Sequence, residues 1–351
     1  MARRVVTLVL SAALVLVMVV VGAQMHVPYA GLAPGPTYNT LGKDAAGQPL
    51  ISVSGRQTYP PTSGHLNLVT VSVSGGPHYP MDLTKALRYL FDKHVELVPE
   101  SEIFPPGQTS QQVQQQDNQQ MQQSQSSAQV AALTQLGIKP TGVQVFEVEA
   151  NTPAFGVLKP GDQIVSVDGT PVTDVTTLHD LIQKHKIGDK VTIGITRKGT
   201  PMTLTVGTIA STDKPPRALV GFTPQPSWPF TVTIHVDSVG GPSAGMMFAL
   251  GLIDILTPGN LTGGKFIAGT GEIDDAGTVS PIGGITQKMY GVRAQGAQYF
   301  LAPAGNCNDV VTGGIPAGLQ VIKVNKLNDA LADVKAIAAG QAASLPACTA
   351  S

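Results

Sequence analysis

The chain has 351 residues, 22 basic and 23 acidic side chains for a formal net charge of −1, and a hydrophobic content of 42%. That balance leaves no basic footprint for nucleic acid and supplies enough apolar residues for ordinary cores. The length predicts two or three domains.

Met1-Ala-Arg-Arg is followed by an uncharged run from Val5 to Ala23. As a helix this run spans about 28 Å, close to the hydrocarbon core of a bilayer. Arg3 and Arg4 would stay in the cytoplasm and leave the remainder outside. Two readings stand. One is a retained signal anchor, favoured because the run exceeds the usual signal core of about 7–15 residues. The other is a signal peptide cut after Val21-Gly22-Ala23.

Leu66 to Val73 reads as a strand, and Leu83 to His94 as a short amphipathic helix with Leu83, Leu87, Leu90 and Phe91 on one face. The glutamine-rich stretch Thr109 to Ser127 is either a disordered linker or a helix leading into the next module. Its apolar residues Val113 and Met121, and the flanking Ala128 to Leu136, favour a helix.

From Ala128 to about Thr208 a second module is predicted. Val143 to Val148 alternates like a strand. Leu158-Lys-Pro-Gly-Asp and Ile164-Val-Ser-Val-Asp-Gly give turn, strand and turn. Val175, Leu178, Leu181 and Ile182 recur at helical spacing, and Lys190 to Arg197 and Thr203 to Thr208 read as closing strands. This order resembles a PDZ domain. The resemblance implies an extended peptide or chain end added to a sheet edge, with the groove strand expected at Thr141, Gly142, Val143, Gln144 and Val145. A purely structural spacer is the other reading.

The third region carries the chemistry. Gly240-Gly241-Pro242-Ser243-Ala244-Gly245 opens an apolar stretch to Leu256 in which only Asp254 is charged. A helix is expected from Pro242 to Leu256, with Pro242 at its first position and Pro258-Gly259 closing it. Ser243 would then lie in the first turn, where free N–H groups and the helix dipole favour a developing oxyanion. A serine hydroxyl needs a base, and a lysine serves as one only when burial lowers its pKa from about 10.4. Lys288, in Gly283-Gly284-Ile285-Thr286-Gln287-Lys288, lies in a segment poor in charge, and Thr270-Gly271-Glu272 stands between the two. A competing reading takes His235 and Asp237 as partners of Ser243 in a triad. It is disfavoured because Thr231 to Val236 reads as a strand.

Three motifs in this order resemble the proteolytic domain of Lon-type serine proteases, over about Thr231 to Ala332. The resemblance implies Ser243 as nucleophile, Lys288 as general base and Thr270 as the residue that orients the lysine, with Gly241, Pro242 and Ala244 supporting the serine. The acidic residue that ATP-dependent Lon enzymes carry before Gly-Pro-Ser is replaced here by Gly240. No Gly-x-x-x-x-Gly-Lys-Ser/Thr phosphate loop and no His-Glu-x-x-His occurs, so neither a cofactor nor a metal is expected, and proteolysis is expected to proceed without ATP. Cys307 and Cys348 are either a disulfide pinning the carboxyl-terminal tail or two free thiols.

The whole order resembles the membrane-anchored, PDZ-containing Lon-like proteases of Gram-positive bacteria. The expected class is α+β, with a PDZ module inserted in a Lon-type domain behind one transmembrane helix. The expected divisions are a cytoplasmic tip and anchor (1–26), a β-rich segment with the glutamine-rich helix or linker (27–127), the PDZ domain (128–210), the proteolytic domain (211–340) and a tail (341–351). Strands of 27–106 are expected to pair with strands after Val220. The expected partners are peptide or protein substrates and the membrane, with no nucleic acid; the resemblance adds a hexameric ring. A tethered peptide-binding adaptor or quality-control factor with an inactive dyad is the alternative.

Overall fold

The computed structural model describes residues 2–349 apart from Pro61, His78, Asp237 and Ser238. Its first elements are α1 (Ala2–Gly22), β1 (Tyr29–Asn39), β2 (Ile51–Ser54), β3 (His65–Ser74), α2 (Leu83–Leu90), β4 (Glu96–Pro99), α3 (Glu100–Ile103) and α4 (Ser110–Gln135). Then come β5 (Gly142–Val148), β6 (Gln163–Val167), β7 (Thr170–Pro171), α5 (Val175–Ile182), β8 (Lys190–Arg197), β9 (Thr200–Gly207), β10 (Ile209–Ala210), β11 (Ala218–Leu219), β12 (Phe222–Ser227) and β13 (Thr231–Ile234). The last group is α6 (Gly245–Leu256), β14 (Phe266–Gly269), β15 (Glu272–Ile273), β16 (Val279–Ser280), α7 (Ile285–Ala294), β17 (Tyr299–Pro303), α8 (Cys307–Thr312), β18 (Gln320–Val324) and α9 (Leu327–Ala338).

These elements form two compact units. One comprises Met1–Ser52, Gln57–Ala132 and Thr233–Ser351; the other comprises Val53–Arg56 and Leu133–Val232.

The larger unit is built on a six-stranded sheet in the order β18-β17-β14-β3-β1-β4. The four strands β18, β17, β14 and β3 run parallel to their neighbours. On the other side β3, β1 and β4 pair antiparallel. β3 and β14 are far apart in sequence, yet Gly269 of β14 sits level with Leu68 of β3 and Leu301 of β17. Strands from before the second unit and after it therefore share one sheet. Helix α6 is the core of this unit. All twelve of its residues are buried, as expected of a helix apolar on every side. Met246, Met247, Phe248 and Leu250 are 0% exposed, each contributing about 2 kcal/mol of burial. Cys307, at the start of α8, is bonded to Cys348 with the Cα atoms 4.9 Å apart. The tail is also held by the Lys323 N–H, which donates to the Pro346 carbonyl at 2.8 Å.

The smaller unit is a sheet in the order β12-β5-β6-β8-β9, with β7 beside β6. Alternation puts Val191, Ile193 and Ile195 of β8 into its core beside Val143, Val145, Ile164 and Leu178. Asp174 caps α5 by accepting from the Thr177 N–H at 2.7 Å.

The glutamine-rich stretch is helical and continues through Gln135. The longer segment of the smaller unit runs from Leu133 to Val232 and includes β12, which pairs antiparallel with β5 and completes that side of the sheet.

Candidate active site

Lys288 stands on the first turn of α7. Gly284 precedes that helix with φ +66°, a left-handed conformation that suits glycine, and its carbonyl accepts the Lys288 N–H at 3.1 Å. The Gly-Gly-x-x-x-Lys spacing is thus one helical turn. Thr270 follows β14 directly, and its N–H donates to the Leu301 carbonyl of β17 at 3.2 Å.

Ser243 does not lie inside a helix. The expected helix from Pro242 starts instead at Gly245, with Ala244 as its cap. The reason is a tertiary contact. The Ser243 carbonyl accepts from the Gly271 N–H at 2.8 Å and from Thr270 Oγ1 at 3.0 Å, so it is already engaged by the β14 loop. The first helical acceptor is the Ala244 carbonyl, bonded by the Phe248 N–H at 3.0 Å. Gly241 has φ +82°, which lets the chain turn sharply into Pro242.

These elements bring Ser243, Thr270 and Lys288 together. Lys288 Nζ lies 2.8 Å from Ser243 Oγ and 3.0 Å from Thr270 Oγ1. Lys288 is 3% exposed and Thr270 is 0% exposed. Burial lowers the Lys288 pKa to about 7, because an ammonium cut off from water loses its hydration. Close to neutral pH a large share of this lysine is therefore unprotonated and able to accept the serine proton. His235 is exposed, and its backbone N–H donates to the Leu50 carbonyl at 2.8 Å. Asp237 lies outside the described residues.

The dyad opens onto a groove of about 620 Å³ lined by β3 from Leu68 to Val73, by Phe104, and by Val113, Asp117 and Met121 of α4. The contribution of α4 is one that the sequence reading missed. Val113, Asp117 and Met121 are spaced at i, i+4 and i+8 and so share one face. The Asp117 carbonyl accepts the Gly241 N–H at 3.2 Å, and Ser124 Oγ donates to the Pro242 carbonyl at 2.8 Å. A Cβ added to Gly240 would meet Asp117 Cβ at 2.6 Å, so glycine there makes room for the helix. One signal was visible: Asp117 is the single charged residue between Thr109 and Ser127.

The smaller unit holds a cleft of about 180 Å³ between α5 and β12, lined by Val175, Leu178, Ile182, Val220, Phe222 and Pro224. The strand expected to receive a peptide, Thr141 to Val145, has no open edge. β5 pairs with β12 on one side and β6 on the other, and Val143 and Val145 are core residues. The Thr141 N–H donates to the Ser227 carbonyl at 2.8 Å. The terminal strand on this side of the sheet is β12. The Gly221 and Ser227 carbonyls accept from Glu149 and Thr141 in β5's direction, so alternation turns Phe222, Pro224 and Pro226 to the side away from β5. Of these three, only Phe222 has an N–H to offer an added strand.

A serine and a buried lysine in hydrogen-bond contact, beside a groove, define a site of the kind that performs acyl transfer. Residues 230–336 match the Lon protease (S16) C-terminal proteolytic domain, and residues 111–208 match the PDZ domain. The chain thus joins a PDZ domain to a Lon-type proteolytic domain behind an N-terminal apolar helix. It is 39% identical over 107 residues to Lon protease 1 of Sorangium cellulosum, covering 29% of this chain and 13% of that protein. It is 28% identical over 184 residues to the Lon protease of Rickettsia bellii, covering 50% of this chain and 24% of that one. The chain therefore spans a quarter or less of the length of these relatives. It is also similar to the solved PDZ domain of an SdrC-like protein from Listeria monocytogenes, at 29% identity, 24% of this chain, 90% of that one and a TM-score of 0.23.

Proposed function

We propose that this chain is a serine endopeptidase that uses a Ser243–Lys288 dyad without ATP and cleaves exported or membrane-associated proteins. The observation that carries the reading is the 2.8 Å contact of Lys288 Nζ with Ser243 Oγ, made by a lysine whose pKa burial lowers to about 7. Neutral Lys288 takes the proton of Ser243 Oγ as that oxygen attacks the scissile carbonyl. Backbone N–H groups near Ser243 hold the developing oxyanion. Protonated Lys288 then donates to the leaving amine, and water releases the acyl-enzyme. Thr270 holds the Nζ atom in line through its own hydroxyl.

Compartment and gating belong to the same reading. α1 contains a 19-residue span, Arg4–Gly22, of mean hydropathy 2.9, and the Arg3-Arg4 pair at its start favours a cytoplasmic N-terminus with the dyad outside. The Cys307–Cys348 bond suits an oxidising compartment. The α5–β12 cleft would hold a short peptide or chain end. Its strand edge offers one N–H donor, from Phe222, so few ligand residues join the ladder. Likeness to Lon-type domains supports assembly into a hexameric ring.

The test is digestion of unfolded casein by the full chain in detergent micelles, without nucleotide, beside Ser243→Ala and Lys288→Ala. Cleavage by the parent and by neither variant is expected. Equal loss of casein with all three proteins sinks the dyad. No cleavage by any of them favours the tethered adaptor.

A further inference from the structure

Helix α2 has two faces of opposite character. Asp82 caps it, accepting from the Lys85 N–H at 2.9 Å. Its inner face is fixed to the sheet: Ala86 is buried, the Tyr89 hydroxyl lies 3.2 Å from Ser74 Oγ, and the Tyr89 ring covers Gly31 of β1. Its outer face carries Leu83, Leu87, Leu90 and Phe91 at i, i+4, i+7 and i+8, one stripe of the helix. Leu87 is 48% exposed, Leu90 67% and Phe91 89%. Three large apolar side chains on eight residues of helix and its cap are an unusual amount to leave in water.

The place of this stripe says what covers it. α1 ends at Gly22, and a Cβ there would stand 3.2 Å from Thr84 Cγ2 and 4.0 Å from Leu83 Cδ2. The Leu83 N–H donates to the Met25 carbonyl at 3.0 Å, and the Val27 N–H to the Met81 carbonyl at 2.9 Å. These ties fix the start of α2 against the end of α1. Leu83 stands beside the end of α1 and begins the stripe, so the apolar surface of α1 runs on towards Leu87, Leu90 and Phe91. Around it stand Lys85, Arg88 and Lys93, against Asp92 and the capping Asp82.

We propose that α2 is a membrane-surface helix. Leu87, Leu90 and Phe91 enter the headgroup and acyl boundary of the leaflet where α1 ends, and Arg88 and Lys93 meet anionic lipid phosphates. The proposal rests on α1 being a retained anchor. Its consequence is orientation. Tyr89 ties α2 to β1 and β3, the sheet that carries α7 and Lys288, so docking α2 fixes the dyad's unit against the bilayer.

The experiment places a reporter on the stripe. Phe91→Trp is made in the full chain, which is reconstituted in liposomes of phosphatidylcholine and phosphatidylglycerol brominated in the upper acyl chain. The parent, with Trp228 as its single tryptophan, is the baseline. The added emission is expected to fall about two-fold or more on bromination. The same reporter carrying Leu87→Glu and Leu90→Glu is expected to float with the liposomes but lose that quenching. An unquenched reporter in a chain that floats overturns the proposal and leaves the anchor standing. An unquenched reporter whose emission shifts to the blue with protein density assigns the stripe to a second copy and overturns it too. A chain that stays out of the liposomes overturns the anchor and this proposal together.

Discussion

Thr270 and Lys288 meet at 3.0 Å, and the same threonine hydroxyl donates to the Ser243 carbonyl at 3.0 Å. One side chain thus ties the lysine to the serine's own backbone. Thr270→Val keeps the shape and removes the tie. We expect kcat on casein to fall about 10- to 100-fold, as for a reacting group misplaced by a fraction of an ångström to 1 Å. Thr270→Ser should recover most of it, and circular dichroism should show the fold intact. A full-rate Thr270→Val enzyme would leave this hydroxyl without a positioning role.

The lowered pKa of Lys288 sets a pH dependence. The neutral form is the base, so kcat/KM should rise with pH along a limb centred at about 7. Stability follows with a worked sign. The unfolded lysine titrates near 10.5 and the folded one at about 7, so between these values the unfolded chain binds more protons and stability rises with pH. Below pH 7 the cost of burying the ammonium is fully present. Lys288→Met should therefore melt above the parent at pH 6, with the difference shrinking towards pH 10. Thermal denaturation across that range checks it, and a difference independent of pH would contradict it.

Ser124 supports the nucleophile loop from α4 by donating to the Pro242 carbonyl. It is 2% exposed, so Ser124→Ala leaves that carbonyl short of a partner in a dry place. About 1 kcal/mol of stability and a roughly five-fold loss of kcat are expected, with KM little changed. Steady-state kinetics on a quenched peptide would separate the two constants; a change in KM alone would contradict the role.

Asp333 of α9 is 6% exposed and its Oδ2 has no hydrogen-bond partner among the described residues. Burial, reinforced by the charge of Asp329, raises its pKa to about 6. The folded chain thus binds more protons than the unfolded one between pH 3.8 and 6, and stability falls as pH rises through that window. Asp333→Asn should stabilise the protein by about 1–3 kcal/mol at pH 7.5 and by little below pH 4. Urea titrations at the two pH values test this.

The disulfide closes a separation of 41 residues, Cys307 to Cys348. A loop of that length corresponds to about 4 kcal/mol of chain entropy removed from the unfolded state. Cys307→Ser with Cys348→Ser is expected to lower the melting temperature and to make it insensitive to dithiothreitol. An unchanged melting temperature would show that the hydrogen bonds of Pro346 and Ala342 hold the tail without the disulfide.

The candidate dyad was legible in the sequence because its chemistry demands scarce combinations. A serine after Gly-Pro and a lysine one turn beyond a glycine pair are local patterns, and each requirement is met within a few residues. The apolar run of α1, the helices α2 and α5, and the strands β3, β5 and β8 were legible for the same reason, since periodicity is a property of the segment itself. Tertiary structure decided what depends on partners distant in the chain. Helix α6 starts late because the β14 loop takes the Ser243 carbonyl. β12 rather than β5 is the terminal strand because β12 arrives from further along the chain and pairs with β5. Helix α4, whose face of Val113, Asp117 and Met121 is sparse in glutamine-rich sequence, lines the groove only once β3 and β14, separated by the whole inserted unit, have paired. A segment's pattern specifies what it can form, whereas hydrogen bonds and buried surface shared with remote segments specify where it ends and what it touches.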